Sequence, residues 1–263
     1  MDLRFDHIIY YSSDPQAVQY KLQSLGFHVT PGGSHPNWGT YNYLCFFGLS
    51  YIEIAGIEDR EKANMVEGNP FVQQMLSEGI EGNCFLRAVL RTNQIDTVLE
   101  RLQKKGIKMV GPISGSRKQK NGTLLNWSML FPEDHKEDPF HLPFIIDWHM
   151  TDEERMRSLK ENRVIEDHLA GKVDLLNIPI AVHDVSTAAL RWQELFEFDS
   201  SEQYIDKEMD ALCQDIDANG TTIKLCQPLN DNGMIQQVLN QRGERPFHAS
   251  ISGLQKDPYY YLI

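Results

Sequence analysis

Apolar positions recur along this chain in a repeated grammar of strand and helix spacing. Phe5–Tyr11 is an apolar, β-prone run that stops at Ser12-Ser13-Asp14. Pro15–Leu25 then places Val18, Leu22 and Leu25 on one helical face. Pro15 suits a first helical position, with Ser13 or Asp14 as the cap before it, and Gly26 suits the stop. Phe27–Thr30 reads as a strand and Pro31-Gly32-Gly33 as a turn. Tyr41–Phe47 and Tyr51–Ile57 read as two further strands around a turn at Gly48. The predicted unit is βαβββ.

The same grammar returns eighty positions on, where Leu102–Gly106 repeats Leu22–Gly26. Strands are predicted at Phe85–Arg91, Ile107–Val110, Leu124–Phe131 and Pro143–Trp148, with a helix at Ile95–Lys105. Asp134–Asp138 reads as a solvated insertion loop. A third unit has strands at Leu175–Val182, Met209–Asp215 and Thr221–Gln227, a helix at Ser186–Phe196 and a hairpin signal at Ala218-Asn219-Gly220. Its glycine stop is lost. Pro246–Ile251 reads as the first strand of an incomplete fourth unit. Helical connectors are predicted at Asp59–Ser77 and Thr151–Gly171, the latter opened by the capping-box pair Thr151 and Glu154. The expected organisation is an α+β fold of repeated βαβββ modules forming curved, cup-like mixed sheets. Residues 1–150 would hold two paired modules, 151–171 a helical linker, and 172–263 a third module with part of a fourth.

Composition narrows the partners. With 41% hydrophobic and 24% charged residues the chain is ordinary for a globular protein. A formal net charge of −12 repels phosphate backbones and anionic membrane surfaces, so neither nucleic acid nor membrane is an expected partner. No stretch approaches the roughly 18 apolar residues of a membrane span, and the N-terminus lacks the pattern of a secretory leader. The four cysteines form no CxxC pair, which fits reduced thiols in a cytoplasmic protein. No glycine-rich nucleotide-binding motif is present.

The repeat also says where chemistry should lie. A helix covers one face of each module's sheet, so the other face is buried by a second module or by a ligand. Two modules side by side curve into a half-closed cup, on which the middles of their first and last strands converge. A polar residue there costs free energy unless it is partnered. Module one offers His7 and Glu53; module two offers Arg87 at the repeat position of His7, and Asp147 in its last strand. Lys224 and His248 occupy comparable places later in the chain.

Asp6-His7-Ile8-Ile9, the stretch Pro31–Asn42 (PGGSHPNWGTYN), Tyr51-Ile52-Glu53, and Leu125-Asn126-Trp127 with Leu142–Trp148 resemble the glyoxalase-like branch of the vicinal oxygen chelate superfamily. The resemblance implies paired βαβββ modules. In the enzymes it also implies a divalent metal held by a His or Gln and a Glu from each module, which stabilises a developing oxyanion. Carried over, His7, Glu53 and Asp147 would form an oxygen-rich site for iron or manganese, with zinc and nickel as further candidates. Arg87 departs from the pattern, because arginine does not ligate a metal. It could instead bridge the two carboxylates and grip an organic anion. His35, Trp38, Thr40 and Asn42 are expected in a pocket wall, with Arg117 and Trp127 as further substrate contacts.

Three readings follow. The first is a metal-dependent lyase, isomerase or dioxygenase acting on a small oxygenated substrate, with Glu53 as a candidate base. The second is a metal-free protein that binds or sequesters an organic anion or drug-like molecule. The third is a degenerate fold kept for assembly, its unfinished fourth module leaving a sheet edge that favours a homodimer.

Overall fold

The structure is a computed structural model that describes residues 2–78, 82–118, 124–133 and 140–253. The first pass of the repeat is β1 (Arg4–Tyr11), α1 (Pro15–Ser24), β2 (Thr30–His35), β3 (Thr40–Phe47) and β4 (Ser50–Ile57). Asp14 caps α1 by accepting from the Ala17 N–H, with Pro15 in the first turn. Helices α2 (Arg60–Met65) and α3 (Pro70–Glu78) follow. The second pass is β5 (Cys84–Arg91), α4 (Ile95–Lys104), β6 (Met109–Lys118), β7 (Leu124–Pro132) and β8 (Phe144–Asp147). Helix α5 (Asp152–Glu161) opens on the capping box of Thr151 and Glu154. The third pass is β9 (Leu175–Ala181), α6 (Val185–Phe196), β10 (Tyr204–Asp206), β11 (Ala211–Asp217) and β12 (Thr222–Pro228). Helix α7 (Met234–Arg242) and the short strands β13 (Arg245–Pro246) and β14 (Ser250–Ile251) end the described chain.

Several boundaries differ from the sequence expectation. Pro31-Gly32-Gly33 is not a turn but lies inside β2, where a register shift in the β2–β3 ladder absorbs it. The connector after β4 is two helices, because the chain turns extended at Val66 and Asn69 starts a new helix by accepting from the Phe71 N–H. The connector after β8 is helical only to Glu161; Arg163 then takes a left-handed φ of 56°. Where the third unit lacks its stop glycine, Glu197 adopts the left-handed conformation itself. The Asp134–Asp138 loop lies outside the described residues.

Two sheets result. The first has eight strands in the order β2-β3-β4-β1-β5-β8-β7-β6. Strands β1 and β5 run antiparallel at its centre with Ile8 opposite Ala88, residues eighty positions apart, so an approximate twofold axis passes between them. β4 lies parallel to β1, and β8 parallel to β5. The sheet curls until its edges approach: Arg117 of β6 donates to the Gly32 carbonyl of β2. The second sheet, β10-β11-β12-β9-β13, repeats the order β2-β3-β4-β1-β5, and β14 also pairs with β9. Thus β13 and β14 together occupy the place that β5 fills in the first sheet.

Burial explains which face holds a site. Ile8, Tyr10, Ala88 and Leu90 face outward into one continuous core with Ile178, Trp192 and Ile223 of the third unit. Ile9, Tyr11, Leu86 and Val89 face inward, into the cup. Phe5 and Ile8 both belong to the outer core although they are three residues apart. A register shift between Phe5 and His7 makes this possible by breaking the pleat's alternation. It leaves Asp6 and His7, side by side, out of the outer core. Among the described residues no helix is long and apolar enough to cross a membrane.

Candidate functional site

Inside the cup is a pocket whose free space, open mouth included, is about 730 Å³. Its floor comes from β1, β3 and β4. His7 sits between two carboxylates: Nδ1 donates to Asp6 Oδ1 at 2.7 Å, and Nε2 lies 3.1 Å from Glu53 Oε2. The ring stacks on Tyr51 with centroids 4.4 Å apart. Asn42 Nδ2 donates to Glu53 Oε1 at 2.6 Å. Asp6 in turn accepts from Arg155 Nη1 at 2.6 Å and from Trp148 Nε1 at 3.2 Å. The result is a buried chain, Arg155–Asp6–His7–Glu53–Asn42.

The charges in that chain set one another. Burial alone would raise the Asp6 carboxyl, but Arg155 and His7 hold it well below the usual carboxylate range. Burial alone would lower His7, yet its hydrogen bonds to Asp6 and Glu53 outweigh this and raise it above its ordinary value. Glu53 goes the opposite way: its burial cost is overcome by His7, then by Asn42, and its carboxyl is lowered. An imidazolium donating to two carboxylates is the state this geometry favours.

The walls are largely apolar and aromatic. Trp127 lies between Trp38 and Trp148, at centroid distances of 6.3 and 5.8 Å. Phe71 of α3 and Leu159 of α5 add to them. His35 packs against Trp38 and Trp127, and burial lowers its imidazole. Arg117 reaches in from β6, and burial lowers its guanidinium as well.

Seven of the residues expected from the sequence therefore line one pocket: His7, His35, Trp38, Asn42, Glu53, Arg117 and Trp127. Thr40 stands behind it, its hydroxyl 3.1 Å from His35 Nδ1. Arg87 and Asp147 are not brought to His7 and Glu53. Asp147 Oδ1 accepts from the His149 backbone N–H at 2.8 Å, holding the bend after β8. Arg87 donates to the Leu142 carbonyl at 3.1 Å and lies over the Phe144 ring at 4.6 Å. The ladders give the reason. Glu53 is opposite Ile9 in the β1–β4 pair, and the corresponding position opposite Val89 in the β5–β8 pair is Phe144. Module two thus places Arg87 and Phe144 where module one places His7 and Glu53.

This decides how a metal fits. The pocket offers His7 Nε2, Glu53 and His35 as donor side chains, of which His7 and Glu53 face each other at hydrogen-bonding distance. Among the described residues no group of three His, Cys, Asp or Glu is placed to hold an ion. A divalent site needs a larger donor set, and module two supplies a cation and a phenyl ring instead. The described residues do not fit the expected metal.

Asp6 and Arg155 join the site beyond the residues expected from the sequence. Asp6 carried a readable signal, because two successive polar residues break the alternation of an apolar strand. Arg155 carried none, sitting among charged neighbours in a solvent-type helix pattern.

Residues 5–196 match the family model described as a glyoxalase-like domain. No curated protein matches the chain in sequence. Among solved structures, a hypothetical protein from Staphylococcus aureus is similar over 95% of this chain and 90% of its own, with a TM-score of 0.74 and 22% identity. A mutant 4-hydroxymandelate synthase from Streptomyces coelicolor is similar over 94% of this chain and 70% of its own, with a TM-score of 0.56 and 13% identity. At these identities the likeness concerns the fold.

Proposed function

This chain belongs to the glyoxalase-like domain family of the vicinal oxygen chelate superfamily, and we propose that it holds a small organic molecule in the cup of its first sheet and moves a proton on it at Glu53, without a resident metal. The observation that carries this reading is the setting of Glu53. Among the described wall residues it is the acidic one, and His7 and Asn42 fix both of its oxygens. A carboxylate has about four acceptor sites, so lone pairs remain for a ligand. The lowered carboxyl keeps Glu53 in its base form at neutral pH. As a weak base it suits a hydrogen already made acidic by a neighbouring carbonyl. The aromatic walls limit water at the reacting atoms. The reaction class is isomerase- or lyase-type proton transfer. Four buried free thiols support a reducing, cytoplasmic setting.

The test is exchange of an acidic C–H. Small 2-oxo and 2-hydroxy carbonyl compounds are incubated with the protein in D₂O and followed by proton NMR, with and without EDTA. Exchange in wild type that survives EDTA and is lost in Glu53→Gln supports the reading. Binding without exchange across the panel would reduce the protein to a binder.

A further inference from the structure

We propose that the ligand of this pocket is a monoanion with a flat apolar body, its carboxylate received by Arg117 while a hydroxyl or enol oxygen faces Glu53. This rests on the reading of the cup as a ligand site and deepens it to a substrate class. Two arginines line the pocket, and their situations differ. Arg155 is engaged by Asp6 at 2.6 Å. Arg117 donates to a backbone carbonyl, that of Gly32, and among the described residues no carboxylate pairs with it. A guanidinium presents several donors in a planar fork, and one carbonyl leaves most of them for a ligand. Arg117 and Glu53 line the same cavity, and Glu53 acts on the Arg117 guanidinium through its charge without pairing with it, so one cavity holds a cationic group and an acceptor.

The backbone is shaped to keep this arrangement. A Cβ on Gly32 would lie 2.0 Å from Asn42 Oδ1 and 2.9 Å from Arg117 Nη1. The absence of a side chain there lets Asn42 reach Glu53 and lets Arg117 lie along β2. The rings of Trp38, Trp127 and Trp148 line the same cavity. Such walls favour a flat, apolar body. The charge of the ligand is also bounded. One unpaired guanidinium matches one carboxylate bidentately, whereas the ionised Glu53 and Asp6 nearby repel a second negative charge.

The probe is 2-hydroxy-3-phenylpropanoate, compared with its uncharged primary amide and with 2-hydroxypropanoate, which lacks the ring. Affinities are measured by tryptophan fluorescence and calorimetry at 0.15 M salt, for wild type, Arg117→Gln and Arg117→Lys. Wild type is expected to bind the acid at least tenfold more tightly than either comparison compound. In Arg117→Gln the acid and the amide should bind within about twofold of each other, with amide affinity retained as proof of an intact pocket. Arg117→Lys should recover part of the preference. Equal binding of acid and amide by wild type, a preference that survives Arg117→Gln, or binding of neither compound would overturn the proposal. Failure of the proton-transfer reading looks different: selective binding of the acid by wild type, with no exchange of the acidic C–H in any of the 2-oxo carbonyl compounds.

Discussion

Modules one and two share a backbone and part company at three matched positions. Module one has Asp6, His7 and Glu53; module two has Leu86, Arg87 and Phe144. In module one the three carry a hydrogen-bonded chain that lines the pocket. In module two the matching pair is a guanidinium over a phenyl ring, turned to the Leu142 carbonyl. A metal chelated between modules needs donors from both halves, and among the described residues module two sets none beside His7 and Glu53 to complete a group of three. The difference teaches that the twofold symmetry of the backbone does not extend to its polar groups: both modules wall the cup, but the Asp6–His7–Glu53 chain belongs to module one. The third unit makes the same point, with Lys224 opposite Pro179 where module one has Glu53 opposite Ile9.

The sharpest way to break this comparison is to remove the base while keeping its shape. Glu53→Gln should lower the exchange rate by about 10²- to 10⁴-fold, the usual worth of a positioned acid or base, with binding of the neutral amide changed little. Next in size is Arg155→Ala, which strands Asp6 without its cation. Breaking a buried pair from one side costs about 3–5 kcal/mol, read as a drop in the urea unfolding midpoint. The acid limb of stability comes third. Asp6 has a folded value below its unfolded value of about 3.9, so its contribution is present above that pH and is lost as pH falls below it. Wild type should therefore lose stability below about pH 4 more steeply than Asp6→Asn, whose starting stability is lower. The smallest effect belongs to module two. Phe144→Leu removes the ring beneath Arg87 and should cost about 1 kcal/mol, leaving proton exchange within about twofold.

Much of this organisation is legible in the sequence because repeats announce themselves. The eighty-residue offset places Arg87 correctly as the counterpart of His7, and the strand patterns place His7 and Glu53 on adjacent strands. The counterpart of Glu53 is less legible. Asp147 is the polar residue in an apolar run and attracts the assignment, but position in a parallel ladder depends on register, which the preceding loop length sets. The ladder puts Phe144 there, three residues earlier. The glycines of Pro31-Gly32-Gly33 mislead for a related reason. Their composition signals a turn, whereas Gly32 is needed for close approach by Asn42 and Arg117. The part played by α5 is not visible at all, since Arg155 acts through a partner 149 positions away.

The most direct measurement is the metal dependence of proton exchange. The protein would be purified without a metal-binding tag, analysed by elemental mass spectrometry, dialysed against EDTA, and assayed in D₂O before and after addition of iron, manganese, zinc or nickel. A one-sided, metal-free site predicts no stoichiometric metal, exchange unchanged by EDTA or added ions, and loss of exchange in Glu53→Gln. Near one equivalent of bound metal, with exchange abolished by EDTA and restored by a single ion, would contradict it.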